Sequence, residues 1–350
     1  MRKIGIMFMV IVCLLITTGC GHKAQPVKAE ILSSPYSRTE FIMGTVVTVK
    51  IFDKGKADVL KPVFKRIEEL ADATTVEDKN DSSEIDQVNE EAGIKPVKVS
   101  NDIYRMIKIG KKYSGRSNGG FDLTIGPLSK LWHIGYSDAR KPKQSEIDHV
   151  LPLIGYKRMI LNDSKHTIFL KNKGMRLDLG AIAKGFITDE VVTVLKQNHV
   201  QSAIVDLGGN IYVLGKNASD EKWNVGIQNP FEPRGAIVGK IEESNQSIVT
   251  SGIYERFIKV NGKTYHHLLN PFDGYPFMND IAGVSVITDA STDGDALSTV
   301  LFAGGLKGGM SDAKKWGIKA VFVTRDKKVY ITPNLKNNFV LTNKAFKLIE

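Results

Sequence analysis

The chain has 350 residues, 42% of them hydrophobic and 25% charged, with a formal net charge of +10. That is ample material for a core, and the composition excludes both a disordered chain and one that spans a membrane throughout. Lysine and arginine are scattered without a dense basic block, which argues against a nucleic-acid groove and fits a protein near an anionic membrane or one that handles an anionic ligand.

The N-terminal MRKIGIMFMVIVCLLITTGC sets Arg2 and Lys3 before an apolar run from Ile4 to Ile16. The run is shorter than the roughly 20 residues of a membrane span and matches the apolar region of a secretory signal. Its end, TTGC, resembles a bacterial lipoprotein signal, with Thr17 where an aliphatic residue is usual. The resemblance implies removal of residues 1–19, lipid on Cys20, and an extracytoplasmic protein anchored to the cell membrane. Cys13 and Cys20 are the two cysteines, so the mature chain would hold no free thiol and no disulfide, and cysteine catalysis is excluded. Residues 20–40 are polar and aperiodic and read as a tether. The folded part is expected to start near Phe41, as one domain over residues 41–350.

TVVTVKIF, rich in β-branched residues, is expected to be a strand. Leu60, Phe64, Ile67 and Leu70 recur at helical spacing. EDKNDSSE reads as a loop, and Ser100 as the N-cap of a helix NDIYRMIKIGKKYSGR. GMRLDLG is expected to be a strand, followed by a helix AIAKGFITDEVVTVLKQN. SAIVDLGGNIYVLG reads as strand, turn, strand, and Asn261-Gly262 as the turn of a hairpin. AGVSVIT (strand), TDGDALSTVLF (helix) and KAVFVTRDKKVYIT (a second hairpin) complete the pattern. Hairpins beside strand–helix units predict an α+β fold with mixed or antiparallel sheets and packed helices.

Four stretches carry chemistry. In GGFDLTIGPLSKLW, Gly119 and Gly120 permit close backbone approach, Asp122 can accept hydrogen bonds, and Phe121 and Trp132 are either a stacking surface or core. In DLGAIAKG, Asp178, Gly180 and Lys184 lie where a helix start would suit a phosphate; the alternative is a tight turn with a solvated lysine. His266 and His267 point to opposite faces of a strand, so at most one faces a site, where it would suit a general base. In TDGDALSTVLF, Asp295, Ser298 and Thr299 share a helix face; a carboxylate and a hydroxyl one turn apart can grip magnesium, and the alternative is an N-terminal cap. Asp289, Asp293 and Asp295 lie close in sequence. Two carboxylates about 4 Å apart repel by roughly 4 kcal/mol at an effective dielectric of 20, and near a buried helix end they call for a cation or a proton.

Taken together, MGT at Met43 to Thr45, FDLTIGPL, DLGAIAKG, DLGGN, TSG, HLLNP-DG and DALST occur in the order that marks the ApbE family of FAD:protein FMN transferases. The sequence resembles that family from residue 41 to about residue 340. The resemblance implies the family's fold and a magnesium-dependent enzyme. Such an enzyme takes FAD, moves its FMN half onto a threonine or serine hydroxyl of an acceptor protein, and releases AMP. It also implies Asp295, Thr299 and the Ala181 carbonyl as metal ligands. FAD contacts would come from Met43, Gly120, Phe121, Asp122, Asp178, Lys184 and the backbone at Leu269. His267 would be the base for the acceptor hydroxyl, with Asp293 as competing base or as a partner of the metal. Val76 stands near the place of the family's stacking tyrosine, and Asn270 replaces the usual aspartate before proline. The alternatives are an FAD pyrophosphatase that gives FMN and AMP, and a non-catalytic FAD-binding lipoprotein.

Overall fold

The computed structural model describes residues 30–76 and 83–349. The leader, Cys20 and the first part of the tether lie outside them, as does most of the EDKNDSSE loop. The chain opens with strands β1 (Ile31–Ile42) and β2 (Thr45–Asp53) and helices α1 (Leu60–Thr74) and α2 (Glu84–Glu90). Next come β3 (Val97–Lys98), α3 (Asn101–Arg116), α4 (Gly126–Trp132), α5 (Gln144–Val150), β4 (Met159–Asn162), β5 (Thr167–Leu170) and α6 (Ala183–Gln197). Seven strands follow: β6 (Ala203–Leu207), β7 (Asn210–Leu214), β8 (Trp223–Gln228), β9 (Ile237–Glu243), β10 (Gln246–Gly252), β11 (Phe257–Val260) and β12 (Lys263–His266). The chain ends with β13 (Ile281–Thr288), α7 (Ser291–Ala303), α8 (Gly305–Lys315), β14 (Lys319–Thr324), β15 (Lys328–Ile331), β16 (Phe339–Leu341) and β17 (Lys347–Ile349).

The α+β expectation holds. Nine strands form the main sheet in the order β1-β2-β6-β7-β10-β13-β14-β15-β17. Every pairing in it is antiparallel except β15 with β17. Successive side chains of a strand point to opposite faces, and the two faces bury different partners. Val284, Val286 and Phe322 join the main core with residues of α1, α3, α6 and α7. Ile287, Val321 and Val323 face a second core with Val225, Ile241 and Phe339 of the three-stranded sheet β16-β9-β8. Burial on both faces explains why β13 is apolar along most of its length rather than alternating. Leu128, Trp132, Ile147 and Tyr265 form a third, smaller cluster beneath the β11–β12 hairpin.

Local signals behave as their chemistry dictates. Ser100 Oγ accepts from the Ile103 amide at 3.4 Å and caps α3. Asn261 and Gly262 both have positive φ, as a two-residue hairpin turn of the primed type requires. Two expectations are corrected. Strand β1 starts at Ile31, so residues 31–40, read as tether, belong to the sheet. Its polar sequence and Pro35 are compatible with an edge strand, and the register shifts between Ile31 and Tyr36, around that proline. GMRLDLG is not a strand; Arg176 makes one isolated bridge, to Ile125. Its amides are committed elsewhere, Leu177 to Asn89 Oδ1 at 2.6 Å and Asp178 to the Leu123 carbonyl at 2.9 Å.

Candidate active site

The site is built where the first turns of α6 and α7 meet. Gly185 makes the meeting possible. A Cβ placed on it would lie 2.4 Å from the Ser291 carbonyl oxygen and 2.7 Å from Asp295 Cβ. The helices therefore approach closer than any side chain at position 185 allows.

Each helix then receives a carboxylate from the other. Asp295 Oδ2 accepts from the Gly185 amide at 2.8 Å. Asp189, one turn along α6 from Gly185, accepts from Ser291 N at 2.7 Å and from Thr292 N and Oγ1 at 2.8 and 2.5 Å. The first-turn amides of a helix have no intrahelical partner, and here a neighbouring helix supplies it. The cap reading of TDGDALSTVLF is thus corrected: no side chain of that stretch caps α7, and Asp189 does so instead.

The Gly185 amide belongs to the first turn of α6, whose amides have no intrahelical partner. It donates to Asp295, and among the described residues no backbone amide donates to Ala181. Thr299 is half-buried, with Oγ1 3.4 Å from Ser251 Oγ, which also bonds Ser298 Oγ at 2.7 Å. Asp295 is nearly inaccessible. Burial holds its carboxyl above the usual range, against the pull of Lys184 and the Gly185 amide.

The three acids close in sequence do not converge. Exposed Asp289 accepts from Gln246 Nε2 at 2.5 Å, and Asp293 Oδ1 accepts from the buried Tyr113 hydroxyl of α3 at 2.7 Å. The repulsion expected among Asp289, Asp293 and Asp295 is relieved in part by sending them to different partners. Lys184 remains close enough to act electrostatically on both Asp295 and His267. Asp178 Oδ1 accepts from the Gly180 amide at 2.8 Å and shapes the turn that leads into α6.

The two histidines separate as their opposite directions require. His266 is core: Nε2 bonds the Phe277 carbonyl at 3.0 Å, Nδ1 accepts from Leu268 N at 3.3 Å, and the ring sits edge-on to Phe302. Burial lowers its pKa to about 4. His267 is the one left to face the site. Its Nδ1 lies 3.2 Å from the Arg256 carbonyl, which can only accept, so Nδ1 carries the proton and Nε2 the lone pair. Burial, then Arg256 and Lys184, keep His267 well below its ordinary pKa. A neutral buried histidine takes up its proton more readily once unfolded. Stability should therefore fall as pH drops from about 6.5 towards 4, by up to about 1.4 kcal/mol per pH unit for His266 alone. Urea denaturation over that range should show a shallower slope in His266→Gln; an unchanged slope would refute the assignment.

In the glycine run the structure selects between the two alternatives for the aromatic rings. Phe121 is 2% exposed and Trp132 is fully buried, with Nε1 donating to the Gly274 carbonyl at 2.8 Å, so neither presents a stacking face. Asp122 spends both oxygens on Thr124 and on the Tyr156 amide. Gly120 does line a cleft of about 440 Å³ with Phe272, Phe277, Met278, Val300 and Ala303. Met43 and Gly44 both have positive φ and form the β1–β2 turn. Thr45, just after it, packs against Gly208 so closely that a Cβ there would lie 2.2 Å from Thr45 Oγ1. MGT and DLGGN thus name two turns that abut. Leu269 is bridged to Pro276 in the loop that follows His267, and Val76 is tied through its carbonyl to Arg176 at 2.9 Å.

Sequence reasoning missed Asp189, Gly185 and Tyr113. A signal existed for the first two: Gly185 with Asp189, and Ser291 with Asp295, are each four apart and share a helix face.

Comparison with known proteins gives a consistent result. The sequence model of the ApbE family matches residues 43–322. A Klebsiella pneumoniae protein named FAD:protein FMN transferase is 35% identical over 316 residues, covering 90% of this chain and 97% of that protein. A Treponema pallidum protein of the same name is 32% identical, covering 97% and 96%. Among solved structures, the ApbE protein of Thermotoga maritima superposes with a TM-score of 0.79 at 26% identity, covering 87% of this chain and 98% of that one. The flavin transferase ApbE of Vibrio cholerae gives 0.76 at 25%, covering 86% and 98%.

Proposed function

The chain belongs to the ApbE family, and from that premise we propose that it is an FAD:protein FMN transferase. In this reading the hydroxyl oxygen of a threonine or serine on an acceptor protein bonds to the phosphorus of the FMN half of FAD. The pyrophosphate bond breaks on the AMP side, AMP leaves, and the hydroxyl proton passes to His267 Nε2. The Nδ1 bond to Arg256 orients that lone pair, and the depressed pKa keeps it available at neutral pH. Asp293 is the competing base, though its bond to Tyr113 favours a supporting part. Lys184 would hold phosphate oxygens, and Met43, Gly120, Asp178 and the Leu269 backbone would border the FAD.

The observation that carries this reading is the donor set at the α6–α7 meeting. Asp295 has one oxygen beyond the one given to Gly185, Thr299 adds a hydroxyl, and the Ala181 carbonyl has no amide donor among the described residues. Those residues also contain no cluster of three or more His, Cys, Asp or Glu that could hold a metal. The set is therefore one carboxylate with neutral oxygens, which suits magnesium shared with a substrate phosphate. When bound, magnesium would neutralise charge on the phosphate oxygens. The lipoprotein-like leader supports an extracytoplasmic enzyme held at the membrane through Cys20.

The test is incubation with FAD, magnesium and an acceptor protein that carries an accessible threonine, followed by mass spectrometry. The expected result is an added FMN on the acceptor and stoichiometric AMP. His267→Gln should bind FAD and transfer about 10²-fold more slowly or worse. FMN and AMP without an adduct would point to a pyrophosphatase, and FAD binding with no products to a non-catalytic flavin carrier.

A further inference from the structure

Asp189 has no part in the reading above, yet it makes three hydrogen bonds to the first turn of α7. A neutral Asn or Ser caps a helix about as well as Asp. An aspartate here carries a cost that a neutral cap avoids. It lies close enough to Asp293 and to Asp295 that its charge and each of theirs disfavour one another, and it is itself largely enclosed. Such an arrangement is favourable only when positive charge stands nearby. Lys184 supplies some, and its influence reaches Asp295.

The geometry adds a mechanical argument. Asp189 fixes where α7 begins relative to α6, and Asp295 and Thr299 sit at the fifth and ninth residues of α7. Asp295 in turn takes the Gly185 amide, and among the described residues the Ala181 carbonyl has no backbone amide donor. The two carboxylates close a loop of contacts in which either helix sets the other's position. We propose that Asp189 is the positioning residue of the cation site: its carboxylate seats α7 so that Asp295, Thr299 and the Ala181 carbonyl serve one ion, and its charge strengthens the site's pull on a divalent cation. This rests on the cation reading given above.

The test measures binding as well as turnover. Mn²⁺ is titrated into the full chain and followed by electron paramagnetic resonance, with and without FAD, and with Mg²⁺ as competitor. Partners of metal ligands typically contribute 10–100-fold to affinity. Asp189→Asn, which keeps an acceptor for only one of the two α7 residues it now serves and removes the charge, should bind Mn²⁺ at least tenfold more weakly. In the transfer assay its KM for Mg²⁺ should rise by a similar factor while kcat at saturating Mg²⁺ stays within about threefold. Thr292→Val, which removes one of the three bonds, should show a smaller loss in the same direction and serves if Asp189→Asn does not fold. Glu190→Gln is the control. It weakens the ion pairs of the next residue on α6 with Arg66 and Arg105 and leaves the cap alone. It should lower the melting temperature and keep wild-type cation affinity. Wild-type affinity in both Asp189→Asn and Thr292→Val, or an equal loss in Glu190→Gln, overturns the proposal. Absence of Mn²⁺ binding by the wild-type chain in both conditions would instead sink the cation reading, and this inference with it.

Discussion

Asp295→Asn should lower FMN transfer by about 10³-fold and leave the chain folded. Asparagine keeps an oxygen for the Gly185 amide, so the contact at 2.8 Å survives. What it loses is the single formal charge in the proposed donor set. A metal's electrostatic contribution to a phosphoryl transition state is several kcal/mol, and each 1.36 kcal/mol is tenfold in rate. Asp295→Ala would be a poorer probe. It strands a buried amide, at a cost of about 1–3 kcal/mol, and mixes stability with catalysis. Initial rates against Mg²⁺ concentration, with a melting curve for each variant, separate the two. An Asn variant within tenfold of wild type at the same Mg²⁺ dependence would remove Asp295 from the metal site.

Gly185→Ala is the second large effect. Helix propensity alone predicts a gain of about 1 kcal/mol for this change in a helix interior. Sterics oppose it. The added carbon would lie 2.4 Å from the Ser291 carbonyl oxygen, which is backbone and cannot rotate aside. Overpacking of this kind costs typically 1–3 kcal/mol, so the balance is a net loss, and α6 must move from α7 to accommodate it. Thermal denaturation should show a lowered melting temperature, and Mn²⁺ titration a loss of affinity larger than that loss of stability would explain. A variant as stable as wild type that binds the ion normally would show that the helices do not depend on this close approach.

What the sequence reveals follows the range of the interaction. The periodicity of α1, the serine cap of α3, both late hairpins and the DLGG turn rest on residues a few positions apart, and each was legible. Asp295 and Thr299 were legible as neighbours on a helix. The partner that caps their helix was not, because Asp189 lies 102 residues from Ser291 and nothing local marks it. Strand β1 was illegible for a different reason. An edge strand needs only one neighbour, so its polar sequence does not differ from that of a tether. Phe121 was legible only as an open choice, because an aromatic beside two glycines suits a stacking surface or the core, and burial places its ring in the core.

The exchange of carboxylates between α6 and α7 also sets an order of events during synthesis. Gly185 and Asp295 are 110 residues apart. At about 5–20 residues per second, the ribosome takes roughly 5–20 s to make that span. Until α7 emerges, the Gly185 amide, in the first turn of α6, has no partner within its own helix. Docking of α7 supplies one, the Asp295 carboxylate. The cation site therefore cannot template the fold of the nascent chain. It is a product of a late long-range closure, the docking of α7 on α6, with β14 to β17 still to follow in the chain, and its appearance would report that the two helices have docked.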